Sequence, residues 1–207
     1  MRLISTIAGR LLAAPPRLDV AQPLVPDWRP DVPPDTPPVA AAVLIALIER
    51  PEGLSVLFTE RATSLRAHSG QVAFPGGKID RGDSGPAAAA LREAAEEVGL
   101  EPSDAEVLGY LPLYFTGTNY LITPVVARVR PRAPFLANPD EVADLFEVPL
   151  SGLMDPARYG THQVSRNGVE HRTWRIDHDR FLIWGITANL TRVFFEQALQ
   201  GGLDADR

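Results

Sequence analysis

Residues 86 to 99 constrain the fold of this chain most strongly, because they predict a short helix with one acidic and one apolar side. Pro86 suits the first helical position, and Asp83 or Ser84 stands before it as a capping residue. The alanines that follow have high helix propensity, and Gly99 is a typical C-terminal stop. A short helix of this kind has to cover a core with its apolar side.

Three glutamates gather on the acidic side of this helix. At about 100° per residue, Glu96 and Glu97 lie roughly 60° and 40° to either side of Glu93. Like charges at this spacing repel unless something positive lies between them, and hard divalent metals such as Mg²⁺ prefer these oxygen ligands. A solvated acidic face is the alternative for these residues taken alone. The residues predicted for the apolar side are Leu91, Ala95 and Val98.

The loop before the helix favours a metal site. Phe74-Pro75-Gly76-Gly77 is a poor surface linker, but its glycines can bring a bare backbone carbonyl close to a metal. A Gly-Gly turn followed by Arg-Glu-x-x-Glu-Glu-x-Gly resembles the Nudix box, the loop–helix signature of the Nudix hydrolases. The spacing from Gly77 to Arg92 is one residue longer than usual, and Asp83 or Ser84 replaces the early glutamate of the box. That glutamate is generally not a metal ligand, so the departure concerns loop geometry more than chemistry.

The resemblance implies the fold, the cofactor and a set of site residues. The implied fold is α/β, an α/β/α sandwich with a mixed sheet, over roughly residues 38 to 200. Glu93, Glu96, Glu97 and the carbonyl of Gly77 would bind Mg²⁺ or Mn²⁺. Arg92 would orient Glu93 or Glu96 rather than contact substrate.

Related Nudix enzymes carry an acidic residue from a distal loop as a further metal ligand or general base. Glu141, which follows Asn138-Pro139-Asp140, is the best-placed candidate here. The base is then Glu93 or Glu141, and both stay open. A solvated helix-start acid is the alternative for Glu141.

The segment from Leu57 to Gly77 resembles the motif of the coenzyme A pyrophosphatase branch of Nudix hydrolases, with its Arg-x4-Arg-x-His-x-Gly-Gln core intact. Guanidinium groups bind phosphates bidentately, so this segment suits an anionic ligand with several phosphates. The arginines can equally pair with Asp80, Asp83 or the box glutamates and only hold the loop. The substrate-binding candidates are Arg61, Arg66, His68 and Gln71.

These resemblances imply a pyrophosphatase that cleaves coenzyme A or an acyl derivative into adenosine 3′,5′-bisphosphate and 4′-phosphopantetheine. The alternatives are a Nudix hydrolase of another nucleoside diphosphate derivative, such as ADP-ribose or a dinucleoside polyphosphate, and a Nudix module that binds a nucleotide without hydrolysing it. The segment from Trp184 to Ala188 also resembles a family segment, and we interpret it as packing.

Composition and charge limit the partners and the compartment. A net charge of −6 argues against broad binding to nucleic acid or anionic membranes. No cysteine is present, so a disulfide framework is excluded and a cytoplasmic location is expected. Gly9 and Arg10 interrupt the first apolar run, which predicts an amphipathic helix rather than a signal peptide, and no apolar segment is long enough to span a membrane.

The chain divides into an N-terminal helix and proline-rich arm, residues 1–37, and a Nudix hydrolase domain, residues 38–207. The arm would lie on the domain or on a second subunit, so a homodimer is possible. Apolar patterns predict a late hairpin around residues 177–179 and a terminal helix over 184–199. Earlier strands are predicted at 39–48, 54–59, 71–74, 106–113, 121–130 and near 145–148.

Overall fold

The computed structural model describes residues 2–17, 32–33, 35–64, 69–166 and 168–199. Four α-helices lie in these ranges: α1 (Arg2–Ala8), α2 (Pro86–Val98), α3 (Leu150–Leu153) and α4 (Gly185–Phe194), which a π-helical turn, Phe195–Leu199, continues. The strands are β1 (Val39–Arg50), β2 (Gly53–Arg61), β3 (Val72–Ala73), β4 (Gly76–Lys78), β5 (Ala105–Tyr110), β6 (Tyr114–Phe115), β7 (Tyr120–Val129), β8 (Val142–Pro149), β9 (Tyr159–Arg166), β10 (Val169–His178) and β11 (Phe181–Trp184).

The central sheet is mixed, as expected. Its main path runs β3-β2-β1-β7-β5, with β4 paired to β1, β6 to β7 and β8 to β2. Strands β1 and β7 are parallel, whereas β2 and β4 run antiparallel to β1. Strands β9, β10 and β11 form a second, antiparallel sheet.

Strand β1 explains why the sheet has helices on both faces. Its side chains alternate between two cores: Leu44 lies with α2, and Ile45 lies with α4 and α1. A strand buried on both faces needs an almost continuous apolar run, which is what residues 39 to 48 provide. The predicted α/β/α sandwich is therefore confirmed. In the described part of the chain, no helix has the length and hydropathy needed to cross a membrane.

Helix α2 differs from its prediction at the start. Gly85 occupies the N-cap without a side-chain hydrogen bond, so the predicted capping by Asp83 or Ser84 is wrong. Pro86 does open the helix, and Gly99 ends it with φ 66° while its N–H donates to the carbonyl of Ala95 at 3.1 Å. The fully buried apolar residues of α2 are Ala89, Ala90, Ala94 and Val98, while the predicted Leu91 and Ala95 are only partly buried.

The amphipathic N-terminal helix is confirmed as α1, although it ends at Ala8. Ile7 is fully buried in the α4-side core, and Arg10 Nη1 donates to the carbonyl of Leu199 at 2.7 Å. Most of the proline-rich arm lies outside the described residues, so the division at residue 37 stays a prediction.

Strand β9 is the largest element that the sequence patterns did not predict. Its sequence, Tyr-Gly-Thr-His-Gln-Val-Ser-Arg, is mostly polar and shows no apolar face. It pairs along its whole length with β10, and β10 forms the predicted hairpin with β11 around Asp179.

Candidate active site

Glu97 is the most deeply placed charged side chain of the predicted box. It is 3% exposed, although the helical periodicity placed it on the outer side of α2. Its carboxylate accepts a hydrogen bond from the Gly76 N–H at 3.3 Å, and Oε1 lies 3.8 Å from Arg61 Nη1. Burial raises the pKa of Glu97 to about 8, against the lowering effects of Arg61 and the Gly76 N–H.

Glu93 lies against the glycine loop. A Cβ at Gly77 would overlap with the Glu93 carboxylate where it now lies, so glycine lets this side chain approach the backbone of the loop closely. Burial raises the pKa of Glu93, and the Arg92 guanidinium lowers it. The charge of Glu141, from the turn before β8, raises the pKa of both Glu93 and Glu97. The structure therefore brings Glu141 into the same electrostatic environment as the box glutamates.

Arg92 connects the start of the box loop to the acidic helix. Its guanidinium donates from Nε and Nη2 to the two carboxylate oxygens of Asp83, both at 3.1 Å, and from Nη2 to the carbonyl of Lys78. Nη1 donates to Glu93 at 3.0 Å and to Glu96 at 3.2 Å. Asp83 thus binds Arg92 instead of capping α2. Arg92 holds both glutamates that the sequence predicted it to orient.

Strand β4 fixes the glycine loop against the sheet. Gly76, Gly77 and Lys78 pair with Val43, Ala42 and Ala41 of β1. A Cβ at Gly76 would lie 2.7 Å from Val43 Cα and would also collide with the carbonyl oxygen of Ala42. Close backbone packing, which glycine alone permits, places the loop beside α2.

The donors around this loop are of the kind that a hard divalent cation binds. Glu93 and Glu97 flank the Gly76–Gly77 backbone. Both carboxylates have raised pKa values, and a bound cation would lower them. Glu96 is 53% exposed and held by Arg92. Within the described ranges, no three acidic or histidine side chains already converge on one point. The carboxylates fit such a cation by type and location.

The upstream segment reaches this centre through Arg61. The backbone of Arg61 bonds to Gln71 and Gly70 at 3.0 and 3.1 Å, which closes the intervening loop. Its guanidinium pairs with a box glutamate, one of the roles left open above, and it also lines the neighbouring cleft together with Gln71. Arg66 and His68 lie outside the described residues.

A cleft of about 510 Å³ adjoins the glycine loop. Its wall includes Trp184, Gly185, Ile186 and Thr187, so the interpretation of this segment as packing alone was incomplete. Thr187 does pack, since its hydroxyl donates to the carbonyl of Val72 at 2.8 Å. Sequence reasoning also missed Tyr114 and Asn189, which line the cleft and hydrogen-bond to each other across 75 residues of chain. The other lining residues include Gly76, Gly77, Lys78, Thr116, Thr118, Val164, Ser165, Thr173 and Leu190.

The chain is similar to several known proteins. Residues 38–169 match the NUDIX domain family. The sequence is 45% identical over 163 residues to the uncharacterized Nudix hydrolase NudL of Escherichia coli (strain K12 / DH10B), covering 79% of this chain and 83% of the relative. NudL of Salmonella paratyphi B matches with the same values. Among solved structures, the Caenorhabditis elegans Ap4A hydrolase in a binary complex is 19% identical with a TM-score of 0.45, covering 55% of this chain and 81% of that one.

The family match covers well over half of the chain, and the relatives share far more identity than chance similarity gives. Nudix hydrolases generally use divalent cations such as Mg²⁺ or Mn²⁺, which agrees with the donors around the glycine loop. The chain therefore belongs to the Nudix family, and it is a Nudix hydrolase that acts as a pyrophosphatase.

Proposed function

We propose that this enzyme hydrolyses the diphosphate of coenzyme A or acyl-coenzyme A, giving adenosine 3′,5′-bisphosphate and 4′-phosphopantetheine or its acyl form. The contact between Arg61 and Glu97 carries the proposal. It joins the segment that resembles the coenzyme A motif to the box helix, and Arg61 also faces the cleft. An arginine so placed can bind a substrate phosphate beside the reacting diphosphate.

The reaction is a displacement at one phosphorus. The oxygen of a water molecule attacks that phosphorus, its bond to the bridging oxygen breaks, and the bridging oxygen leaves with the other phosphate. Glu93 or Glu141 accepts the proton of the water, and both carboxylates belong to the same electrostatic environment. Steady-state kinetics of variants separates the two candidates.

Glu93, Glu96, Glu97 and the Gly77 carbonyl would hold the divalent cation. When bound, Mg²⁺ or Mn²⁺ neutralises the diphosphate and lowers the pKa of the attacking water. Arg92 keeps Glu93 and Glu96 in place from the outer side of α2. It acts as a positioning residue, because its five donors are directed at protein oxygens.

Another substrate class is the alternative. A hydrolase of ADP-ribose or a dinucleoside polyphosphate would use the same box, with the upstream segment serving only to hold the loop. A module that binds nucleotides without cleaving them is not supported, because the chain is a Nudix hydrolase and Glu93, Glu96 and Glu97 are all present. A cytoplasmic location and a homodimer remain parts of this proposal, as does a partner-binding role for the proline-rich arm.

The proposal is tested by incubating the full chain with coenzyme A and Mg²⁺ or Mn²⁺ and identifying the products by mass spectrometry. We expect both named products, loss of activity with a chelator, and recovery when the metal is restored. Glu97→Gln should reduce turnover by orders of magnitude, because one anionic ligand is lost. Glu101→Gln, an exposed glutamate beyond the helix, is the matched control and should stay near normal. Near-normal turnover of Glu97→Gln at saturating metal would refute the site.

A further inference from the structure

The cleft reaches well beyond the glycine loop, across the central sheet. Residue pairing gives its extent: Lys78 pairs with Ala41, Ala41 with Ile122, and Ile122 with Tyr114. Three strand spacings of about 4.8 Å separate the two ends, so Tyr114 lies roughly 14 Å from Lys78. Asn189 and Thr173 line the cleft as well, and the Asn189 Nδ2 donates to the Tyr114 hydroxyl at 2.6 Å. We refer to Tyr114, Thr173 and Asn189 as the distal polar group.

Two atoms of the distal polar group have no hydrogen-bond partner among the described residues. These atoms are Asn189 Oδ1 and the Thr173 hydroxyl, and both are buried. Buried polar atoms are nearly always hydrogen-bonded, because leaving one unpaired costs its desolvation. Amide groups suit these two atoms, since an amide N–H can donate to Asn189 Oδ1 and an amide carbonyl can accept from the Thr173 hydroxyl. A ligand with neutral amides therefore complements this end of the cleft.

Charge distinguishes the two ends. Among the described residues that line the cleft, Arg61 and Lys78 are the only charged ones, and Lys78 belongs to the glycine loop. The adenosine half of coenzyme A carries a 3′-phosphate, which favours cations. The pantetheine half is uncharged and has two amides. Its second amide nitrogen is about ten bonds from the nearer phosphorus, or roughly 12 Å when extended, which is close to the roughly 14 Å of three strand spacings.

We infer that the distal polar group is a specificity site for the pantetheine arm, in which Asn189 and Thr173 bind the amides of that arm. The inference rests on the proposed function. It assigns the adenosine half to the end of the cleft that holds Arg61. It also gives the hairpin β9–β10 and the start of α4 a role in substrate choice.

The test uses Thr173→Val and Asn189→Leu in the full chain, with three substrates. Coenzyme A has both halves, dephospho-coenzyme A lacks the 3′-phosphate, and an ethyl ester of 3′-phospho-ADP lacks the arm. We expect each variant to lower kcat/KM by about tenfold for the two substrates that carry the arm. The value of kcat/KM for the ethyl ester should stay unchanged. Thr161→Val, an exposed threonine on neighbouring β9, is the matched control and should change nothing.

The outcomes separate this inference from the function beneath it. If the parent chain leaves coenzyme A uncleaved, the proposed function fails and the inference with it. If coenzyme A is cleaved and the variants weaken the ethyl ester as much as coenzyme A, the distal polar group binds the adenosine half and the inference is wrong. Unchanged kinetics with all three substrates would also overturn it. Thr173→Val removes an unpaired hydroxyl without changing shape, so its folding, checked by thermal unfolding, should be preserved.

Discussion

At the scale of single residues, the site depends on where Glu97 lies. Helical periodicity predicts the side of α2 on which Glu97 lies, but it does not predict which element packs against that side. The covering atoms come from the Gly76 backbone and Arg61, which β4 and β2 bring to α2. The identity of the acidic residues was therefore predictable, because their spacing is local. The burial of Glu97 was not, because it depends on strand pairing between distant segments.

The raised pKa of Glu97 predicts a pH-dependent stability of the metal-free enzyme. The folded chain keeps the Glu97 proton up to about pH 8, whereas the unfolded chain loses it near 4.5. Between these values the folded state binds more protons, so the free energy of unfolding should fall as pH rises. Thermal unfolding with a chelator, from pH 5 to 8, measures this trend. Glu97→Gln should show a shallower fall than the parent and the Glu101→Gln control, and identical slopes would contradict the burial.

Glu141 offers a second test at this scale. If it is the base or a distal metal ligand, Glu141→Gln should lower kcat with little effect on KM, because the group acts in the transition state. The exposed neighbour variant Asp140→Asn is the control and should keep its kcat. Steady-state kinetics with coenzyme A decides. An unchanged kcat in Glu141→Gln would assign the base to Glu93.

At the scale of elements, a strand or a cap could be predicted when the residues that determine it are close together in the sequence. Strands β1 and β7 were predicted almost in full, because burial on both faces needs long apolar runs. Strand β9 was not, since its backbone bonds to β10 stabilise a mostly polar sequence. The predicted N-cap of α2 was wrong because the Asp83 carboxylate accepts hydrogen bonds from Arg92, nine residues further along the chain.

Helix α1 should stabilise the domain through its buried side. Ile7 is fully buried, so Ile7→Ala should lower the free energy of unfolding by about 2–4 kcal/mol. Leu3→Ala on the same helix is the control: Leu3 is 44% exposed, and its loss should cost about 0.5 kcal/mol or less. Denaturant unfolding compares the two variants. Equal, small effects would show that α1 is not part of the cooperative unit.

At the scale of the whole molecule, the cleft is lined by residues from distant parts of the chain. Gly77, Tyr114, Thr173 and Asn189 come from four different elements, and the sequence holds no local sign that they meet. The box and the upstream segment could be identified because each is contiguous. The remaining walls of the cleft are a product of the mixed sheet, the second sheet and α4 together. Substrate choice is consequently a property of the whole fold.

We propose that this Nudix hydrolase acts on coenzyme A. This proposal is tested most directly by kcat/KM for coenzyme A, dephospho-coenzyme A and ADP-ribose, measured side by side with Mg²⁺. We predict that coenzyme A is the best substrate, with dephospho-coenzyme A about tenfold poorer because an arginine–phosphate contact of about 1.4 kcal/mol is lost. Arg66→Ala should reduce the difference in kcat/KM between coenzyme A and dephospho-coenzyme A. Cleavage of ADP-ribose as efficiently as coenzyme A would contradict this proposal, as would cleavage of none of the three despite bound metal.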